Sequence, residues 1–380
     1  MKCEWINPNE IPDLSGCKKL VLFGAGEGTR VLMEGVKTGF VPGHPTLMAI
    51  CDNDPSLHGK WFFGVEVIHP EELKALDCDL ILVTSISGRD QIADQLEKMG
   101  FVRNRDFFLV GRYPDAYLPA MTLIQEHYFR LGWPGADSVC LNVGPGGSFS
   151  LEILLYCYGF NRVVSIDVNR FGANYPKLSS DCYTRYMAIR NDLIALTNES
   201  KKNVVLERFD SLFVRKNDHL FFDQNRIEFL YPMDICSLSL PDNTFDFIFS
   251  SGVLEHVKDP ERAVSEIMRV LKIEGIALHR IITQDHRSFS AASDCHAFSF
   301  RNYSKEAWTG STTMKFYQNR LLPVEWKSLF LKHGLGIEYF NIEKRAQIDD
   351  EMAAQFHPDF LVFSRADLEA VNCVILGIHS

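Results

Sequence analysis

The ten cysteines include no CxxC pair and no cluster with metal-ligand spacing, which excludes a zinc module and argues against a disulfide framework. Scattered single thiols fit a reducing compartment. An excess of positive charge is also missing. The chain has 39 Lys and Arg against 49 Asp and Glu, a net charge of -10 at pH 7, which excludes a broad electrostatic grip on nucleic acid or an anionic membrane. No uninterrupted apolar run is long enough to span a bilayer, and the opening "MKCEWINPNE" lacks the apolar core of a signal peptide. A cytoplasmic protein without membrane insertion is therefore expected. No short-period repeat or low-complexity tract appears, which sets solenoids aside. Nothing in the sequence speaks to oligomeric state.

What the chain does have is 380 residues at 46% hydrophobic content, enough for two packed cores. Two segments follow one plan of apolar strand, glycine-rich turn, helical stretch, second strand and acidic residue. The first runs from "KKLVLFGAGEGTRVLMEGV" to "TLMAICDNDP", the second from "SVCLNVGPGGSFSLEILLYCYG" to "RVVSIDVNRFG". Each is a candidate βαβ nucleotide-binding unit, because bare glycine backbone admits a ligand and a helix start offers free N–H groups. Pro114 and Pro119 interrupt the periodic pattern in "GRYPDAYLPAM", and a helix with Met121, Ile124 and Tyr128 on one face begins there. Domains of 1–118 and 119–380 are predicted.

In the first turn, "GAGEGTR", Thr29 replaces the third glycine of the dinucleotide fingerprint, so Gly26 and Gly28 serve equally well to allow a tight strand-to-helix turn. The order "FGAG", "DNDP" and "GVEVIHPEEL" resembles the small Rossmann-like domain that precedes sugar acyltransferases and glycan-modifying enzymes. The resemblance implies a nucleotide sugar, with Gly24, Gly26 and Gly28 approaching its diphosphate and Asp52 or Asp54 meeting ribose or uracil.

The later motifs "LNVGPGGS", "VVSIDVN", "FLYPMDICSLSLPDNTFDFIFSSGVLEHV" and "EIMRVLKIEG" resemble, in order and spacing, class I S-adenosylmethionine-dependent methyltransferases, of the type-11-like subgroup with a "GPG.S" loop. Asn142 stands where that family often has an acid, and Ser148 replaces its third glycine. The resemblance implies that Gly144, Gly146, Gly147 and Ser148 cradle the amino-acid end of the cofactor. It also implies that Asp167 takes the ribose hydroxyls, that Asp234 and Ile235 hold the adenine, and that Ser251 and Glu255 border the sulfonium. Read as residues alone, Asp167 also suits a helix N-cap and Asp234 a turn.

Two histidines compete for a role in catalysis. His256 follows Glu255 where a strand gives way to the helix started by Asp259 and Pro260, a place where packing requires neither Glu nor His. His286 lies beyond the next strand beside Asp285, a carboxylate able to fix its tautomer, and is the predicted general base. A long insertion between Asp167 and Asp234 is expected to add helices. Phe298, Phe300, Tyr303, Trp308, Tyr317 and Trp326, interleaved with Arg301, Lys305, Lys315 and Arg320, suit either an acceptor pocket or a hydrophobic core with snorkelling cations.

The predicted fold is α/β with two Rossmann-like domains: a small, mostly parallel N-terminal sheet and a seven-stranded class I methyltransferase sheet with a helical insertion. The predicted activity is methyl transfer from S-adenosylmethionine to an oxygen or nitrogen of a small acceptor, by association a sugar, sugar nucleotide or glycan precursor, with no metal required. The alternatives are a nicotinamide-dependent oxidoreductase using the first glycine turn and a cofactor-binding protein without turnover.

Overall fold

The computed structural model describes residues 11–380 except 13, 15, 27, 31, 34–44, 86–88, 111–116, 133, 147, 148, 169–174, 179–185, 188, 191, 192, 195, 196, 198, 218, 290–294 and 311–316. The chain forms two compact units, one of Met1–Ala116 with Asp285–Ala297, the other of Tyr117–Gln284 with Phe298–Ser380.

The first unit holds a six-stranded sheet of β1 (Lys19–Phe23), β2 (Thr46–Cys51), β3 (Trp61–Phe62), β4 (Val65–Ile68), β5 (Leu80–Val83) and β6 (Phe107–Leu109), in the order β3-β4-β2-β1-β5-β6. Every pairing is parallel except the β3–β4 hairpin at the edge. Strand residues alternate between two cores. Leu20 and Leu22 enter one, and Val21 and Phe23 enter the other with Leu73 and Leu96.

The second unit is built on β7 (Val139–Val143), β8 (Arg162–Ile166), β12 (Ile227–Leu230), β13 (Phe245–Ser251), β14 (Leu271–Ile282), β15 (Leu335–Arg345) and β16 (Ala370–His379), ordered β12-β8-β7-β13-β14-β16-β15. The pairings from β12 to β14 are parallel, and β16 runs antiparallel to both β14 and β15. This mixed, parallel-rich sheet of seven strands is consistent with the expected methyltransferase fold. Strand order reverses between β7 and β13, and at such a switch point the crevice opens beyond the strands' carboxyl ends.

One face of this sheet packs against the helix Ser150–Cys157 and the insertion, the other against the helices Pro260–Val270 and Pro323–Lys332. The helix Pro260–Val270 starts as its sequence dictates, with Asp259 accepting from the Arg262 N–H at 3.0 Å and proline following. The face Met121, Ile124 and Tyr128 is buried, with Tyr128 4.3 Å from the Phe247 ring.

The insertion differs from expectation. Beside the helix Lys202–Ser211 it contains a three-stranded antiparallel sheet, β10 (Phe213–Lys216), β11 (His219–Phe222) and β9 (Lys177–Leu178). The turn at Asn217, with φ 48°, closes the β10–β11 hairpin. Phe222 meets Phe149 at 5.7 Å and Tyr186 at 5.3 Å, so aromatic rings join the insertion to the main core.

Candidate active site

The second glycine turn lies at the switch point. Gly144 adopts φ 72°, donates its N–H to Ile166 O at 2.9 Å, and lies so close to Val253 that an added Cβ would stand 2.4 Å from Cγ2. No side chain fits there. Gly146 also has positive φ, 68°, yet an added Cβ would meet nothing within 4 Å among the described residues, so its bare face is open to a ligand on that count. The two glycines therefore divide the work, Gly144 letting β7 close on β13 and Gly146 keeping a cradle open. Gly147 and Ser148 lie outside the described residues.

Asp167 follows β8, half-buried, with its backbone held by Leu230 O and by Met233 N–H. Asp234 is exposed in a turn in which its Oδ1 accepts from Cys236 N–H at 2.9 Å, and Ile235 beside it is buried. Thus the turn reading of Asp234 is fulfilled by one of its oxygens. Ser251 ends β13, half-buried, and its neighbour Ser250 is buried against His279 Nδ1 at 2.7 Å.

Glu255 is buried in the short turn of 3-10 helix after β13. Burial pushes its carboxyl up to about 8, against the pull of the Glu255 and Ile282 backbone and of Arg280. A carboxyl held that high keeps its proton at neutral pH, and in that form it is able to donate a hydrogen bond as well as accept one. His256 Nδ1 lies 2.8 Å from Tyr317 O. A carbonyl only accepts, so Nδ1 carries the proton and Nε2 is the basic nitrogen. Burial also lowers the pKa of His256, which keeps the ring neutral.

Asp285, predicted to orient His286, is held by a guanidinium. Asp285 binds Arg287 through two guanidinium nitrogens, at 2.6 to 3.1 Å, and accepts from the Arg287 N–H at 2.9 Å. A guanidinium two residues on satisfies a carboxylate in both charge and geometry better than an imidazole does. Both Asp285 and His286 group with the first unit, while the other predicted catalytic and cofactor residues outside the N-terminal turn lie in the second.

The aromatic stretch is mainly core. Phe298, Phe300, Trp308 and Trp326 are buried, and Arg301 is buried with its guanidinium 4.7 Å from the Phe298 ring and 5.6 Å from Phe300. Its Nη1 donates to Leu368 O, and burial lowers its pKa to about 9. Arg320 donates to the carbonyls of Phe300 and Tyr303. Tyr303 and Lys305 stay exposed and Tyr317 half-buried, whereas Lys315 lies outside the described residues. An open groove of about 710 Å³ on this unit, bordered by Lys305, Leu321 and Phe363, includes none of the predicted cofactor residues.

In the first unit, Gly24 has φ 114°, and an added Cβ would stand 2.7 Å from Ser85 N; one at Gly28 would stand 2.1 Å from Thr84 O. Both glycines are required by packing. Asp52 Oδ2 accepts from Ala25 N–H at 2.7 Å and Oδ1 from Asp54 N–H at 2.8 Å, tying the end of β2 to the turn after β1. Of the three glycines, only at Gly26 would an added Cβ meet nothing within 4 Å among the described residues.

Sequence reasoning missed one group. Glu152, wholly buried in the helix after the second turn, accepts at Oε1 from Asn142 Nδ2 and from Ser165 Oγ, both at 2.6 Å. Burial raises its pKa to about 7. Its signal was a lone carboxyl inside "SLEILLYC", paired with the missing acid at Asn142.

Residues 203–279 match a family described as a methyltransferase domain, and residues 16–106 match one described as C2185-like, N-terminal. No curated protein matches the chain. The match at residues 203–279 falls within the second unit, which is similar to a methyltransferase domain over that stretch. Similar solved structures include a geranyl diphosphate C-methyltransferase from Streptomyces coelicolor A3(2), solved with Mg2+, geranyl diphosphate and S-adenosyl-L-homocysteine. It is 14% identical with a TM-score of 0.39, covering 70% of this chain and 78% of its own. Another is an S-adenosylmethionine-dependent methyltransferase from Methanosarcina mazei, 18% identical with a TM-score of 0.35, covering 65% of this chain and 94% of its own. At these identities and TM-scores the solved structures carry no functional assignment. No helix among the described residues is long and apolar enough to cross a membrane.

Proposed function

We propose that the protein transfers the methyl group of S-adenosylmethionine to an oxygen or nitrogen of a small acceptor, using the cleft beyond β7, β8 and β13. The observation that carries the reading is the junction at Gly144, where the glycine turn bonds to Ile166, one residue before Asp167, and packs against Val253. One backbone contact thus joins a cradle for the amino-acid end to a carboxylate suited to ribose hydroxyls. Gly146, with its open face, fits a ligand lying against backbone.

The donor, when bound, supplies an already activated methyl group on a positive sulfur. What remains for the chain is to align the acceptor and remove its proton. We assign proton removal to His256, whose tautomer the Tyr317 carbonyl sets, in place of His286, whose predicted orienting carboxylate is held by Arg287. A sugar or sugar-nucleotide acceptor is supported by the sequence resemblance of the first unit, and a ligand role for its turn now rests on Gly26.

Calorimetric titration of the full chain with S-adenosylmethionine tests the cofactor site. Losing a charged hydrogen bond costs about 1.5 to 3 kcal/mol, so Asp167→Ala should weaken binding by roughly ten- to a hundredfold. A change under about twofold would overturn the ribose assignment.

A further inference from the structure

Asn142 and Ser165 are partners in register on the adjacent parallel strands β7 and β8. Each stands two residues before a residue of the cofactor site, Asn142 before Gly144 and Ser165 before Asp167. Both donate to the same oxygen, Glu152 Oε1, at 2.6 Å. All three side chains are buried, and Glu152 Oε2 has no hydrogen-bond partner among the described residues.

This is a costly arrangement for a core. A buried carboxyl with one unsatisfied oxygen is worse for stability than an apolar side chain of similar size. The rest of the helix "SLEILLYC" is mainly apolar and buried, so a leucine would suit position 152 as far as packing is concerned. Helix propensity does not ask for Glu either, since Leu is an equally good helix former. The hydrogen-bond geometry offers the remaining reason. One acceptor receives a donor from each of two strands, and the strands end in the two halves of the cofactor site.

We infer that Glu152 is a positioning residue that ties Asn142 to Ser165 and thereby sets the spacing between the glycine turn and Asp167. Its place on the helix that leaves the turn closes the loop: β7, turn, helix and β8 are fixed to one another through a single oxygen. The acid that the methyltransferase resemblance expects on the strand, where Asn142 stands, is supplied here from the following helix. The inference rests on the proposed reading of Gly144 and Asp167 as cofactor residues.

The test compares Glu152→Leu with Glu152→Gln in the full chain, reading S-adenosylmethionine affinity by calorimetry, melting temperature, and hydrogen exchange of the Gly144 amide. Gln keeps an oxygen in the place of Oε1 and should bind within about threefold of wild type. Leu removes the shared acceptor and should weaken binding about tenfold or more, with faster exchange at Gly144 and no matching fall in melting temperature. A residue with only a structural role would move the melting temperature and leave affinity alone. The inference is overturned if Leu binds within about twofold of wild type, or if Gln is as impaired as Leu. Should Glu152→Leu fail to fold, Ser165→Ala removes the β8 donor alone and should still weaken binding by about threefold; unchanged affinity overturns the inference. If wild type itself does not bind S-adenosylmethionine, the cofactor reading fails. Exchange at Gly144 then decides the clamp: faster exchange in the Leu variant supports it, and unchanged exchange overturns it.

Discussion

A histidine accepts a proton efficiently when one ring nitrogen is held as a donor and the ring is neutral at the working pH. His256 meets both conditions through the Tyr317 carbonyl and through burial. General-base catalysis contributes about 100- to 10,000-fold, so His256→Ala should lower turnover by that order on a hydroxyl acceptor. His286→Ala should change it by less than about tenfold, and the ratio of the two kcat values decides the assignment. Equal losses, or a larger loss at His286, would return the role to His286. The sequence showed both histidines but not their partners. Asp285 beside His286 looked like an orienting group because adjacency is visible in one dimension. The guanidinium of Arg287 lies one residue farther along the chain, and its bidentate match takes the carboxylate. Likewise Asn142 and Glu152 were each anomalous in sequence, but only strand pairing with β8 brings Ser165 to the same oxygen.

At the scale of the element, the two glycine turns look alike in sequence and differ in what presses on them. In the first, the residues after β5 crowd Gly24 and Gly28, leaving Gly26 free. Gly28→Ala should therefore lower the melting temperature of the full chain by several degrees, as overpacking against backbone costs about 1–3 kcal/mol. Gly26→Val should shift it less and leave S-adenosylmethionine affinity unchanged, since its Cβ meets nothing within 4 Å among the described residues and the proposed cofactor residues belong to the other unit. Thermal melts and calorimetry on the two variants check both statements, and the reverse ranking would show that the crowding is relieved by backbone movement. Strand, turn and helix were legible here because period and glycine placement are local signals. The β10–β11 hairpin was written in "FVRKNDHLFF", two short apolar runs about a polar turn, but the length of the insertion drew attention to helices instead. The aromatic run from Phe298 to Trp326 carried no such signal, because a ring that lines a pocket and a ring that fills a core have the same sequence.

For the whole molecule, the buried ionisable groups set how stability varies with pH. Glu152 and Glu255 are raised from 4.5 to about 7 and about 8. Below pH 4.5 they are protonated in the folded and unfolded states alike. Between 4.5 and the folded values only the unfolded chain ionises, so their contribution is lost as pH rises, by about 1.4 kcal/mol per pH unit for each group. His279, lowered from 6.5 to about 3 by burial, acts oppositely, as does His256 in direction. Below pH 6.5 the unfolded chain takes up protons that these folded rings refuse, so stability is lost as pH falls. Carboxylates held low by a partner, such as Glu266 beside Arg269, are lost in the same direction, but only as pH falls through the folded value below 4.5. Burial also raises Glu325 and lowers His127, so from 4.5 to 6.5 raised glutamates and lowered histidines oppose one another; above 6.5 the glutamates act without the histidines, and below 4.5 the groups that favour higher pH act, among the described residues. The melting temperature should therefore pass through a broad maximum between pH 4.5 and 6.5 and fall from pH 6.5 to 8. Calorimetric scans across that range in constant ionic strength check it. A melting temperature that rises from pH 6.5 to 8 would mean that Glu152 and Glu255 are ionised in the folded protein. Glu152→Gln, which cannot ionise, should reduce the decline between pH 6.5 and 7 and leave the part above it, which belongs to Glu255.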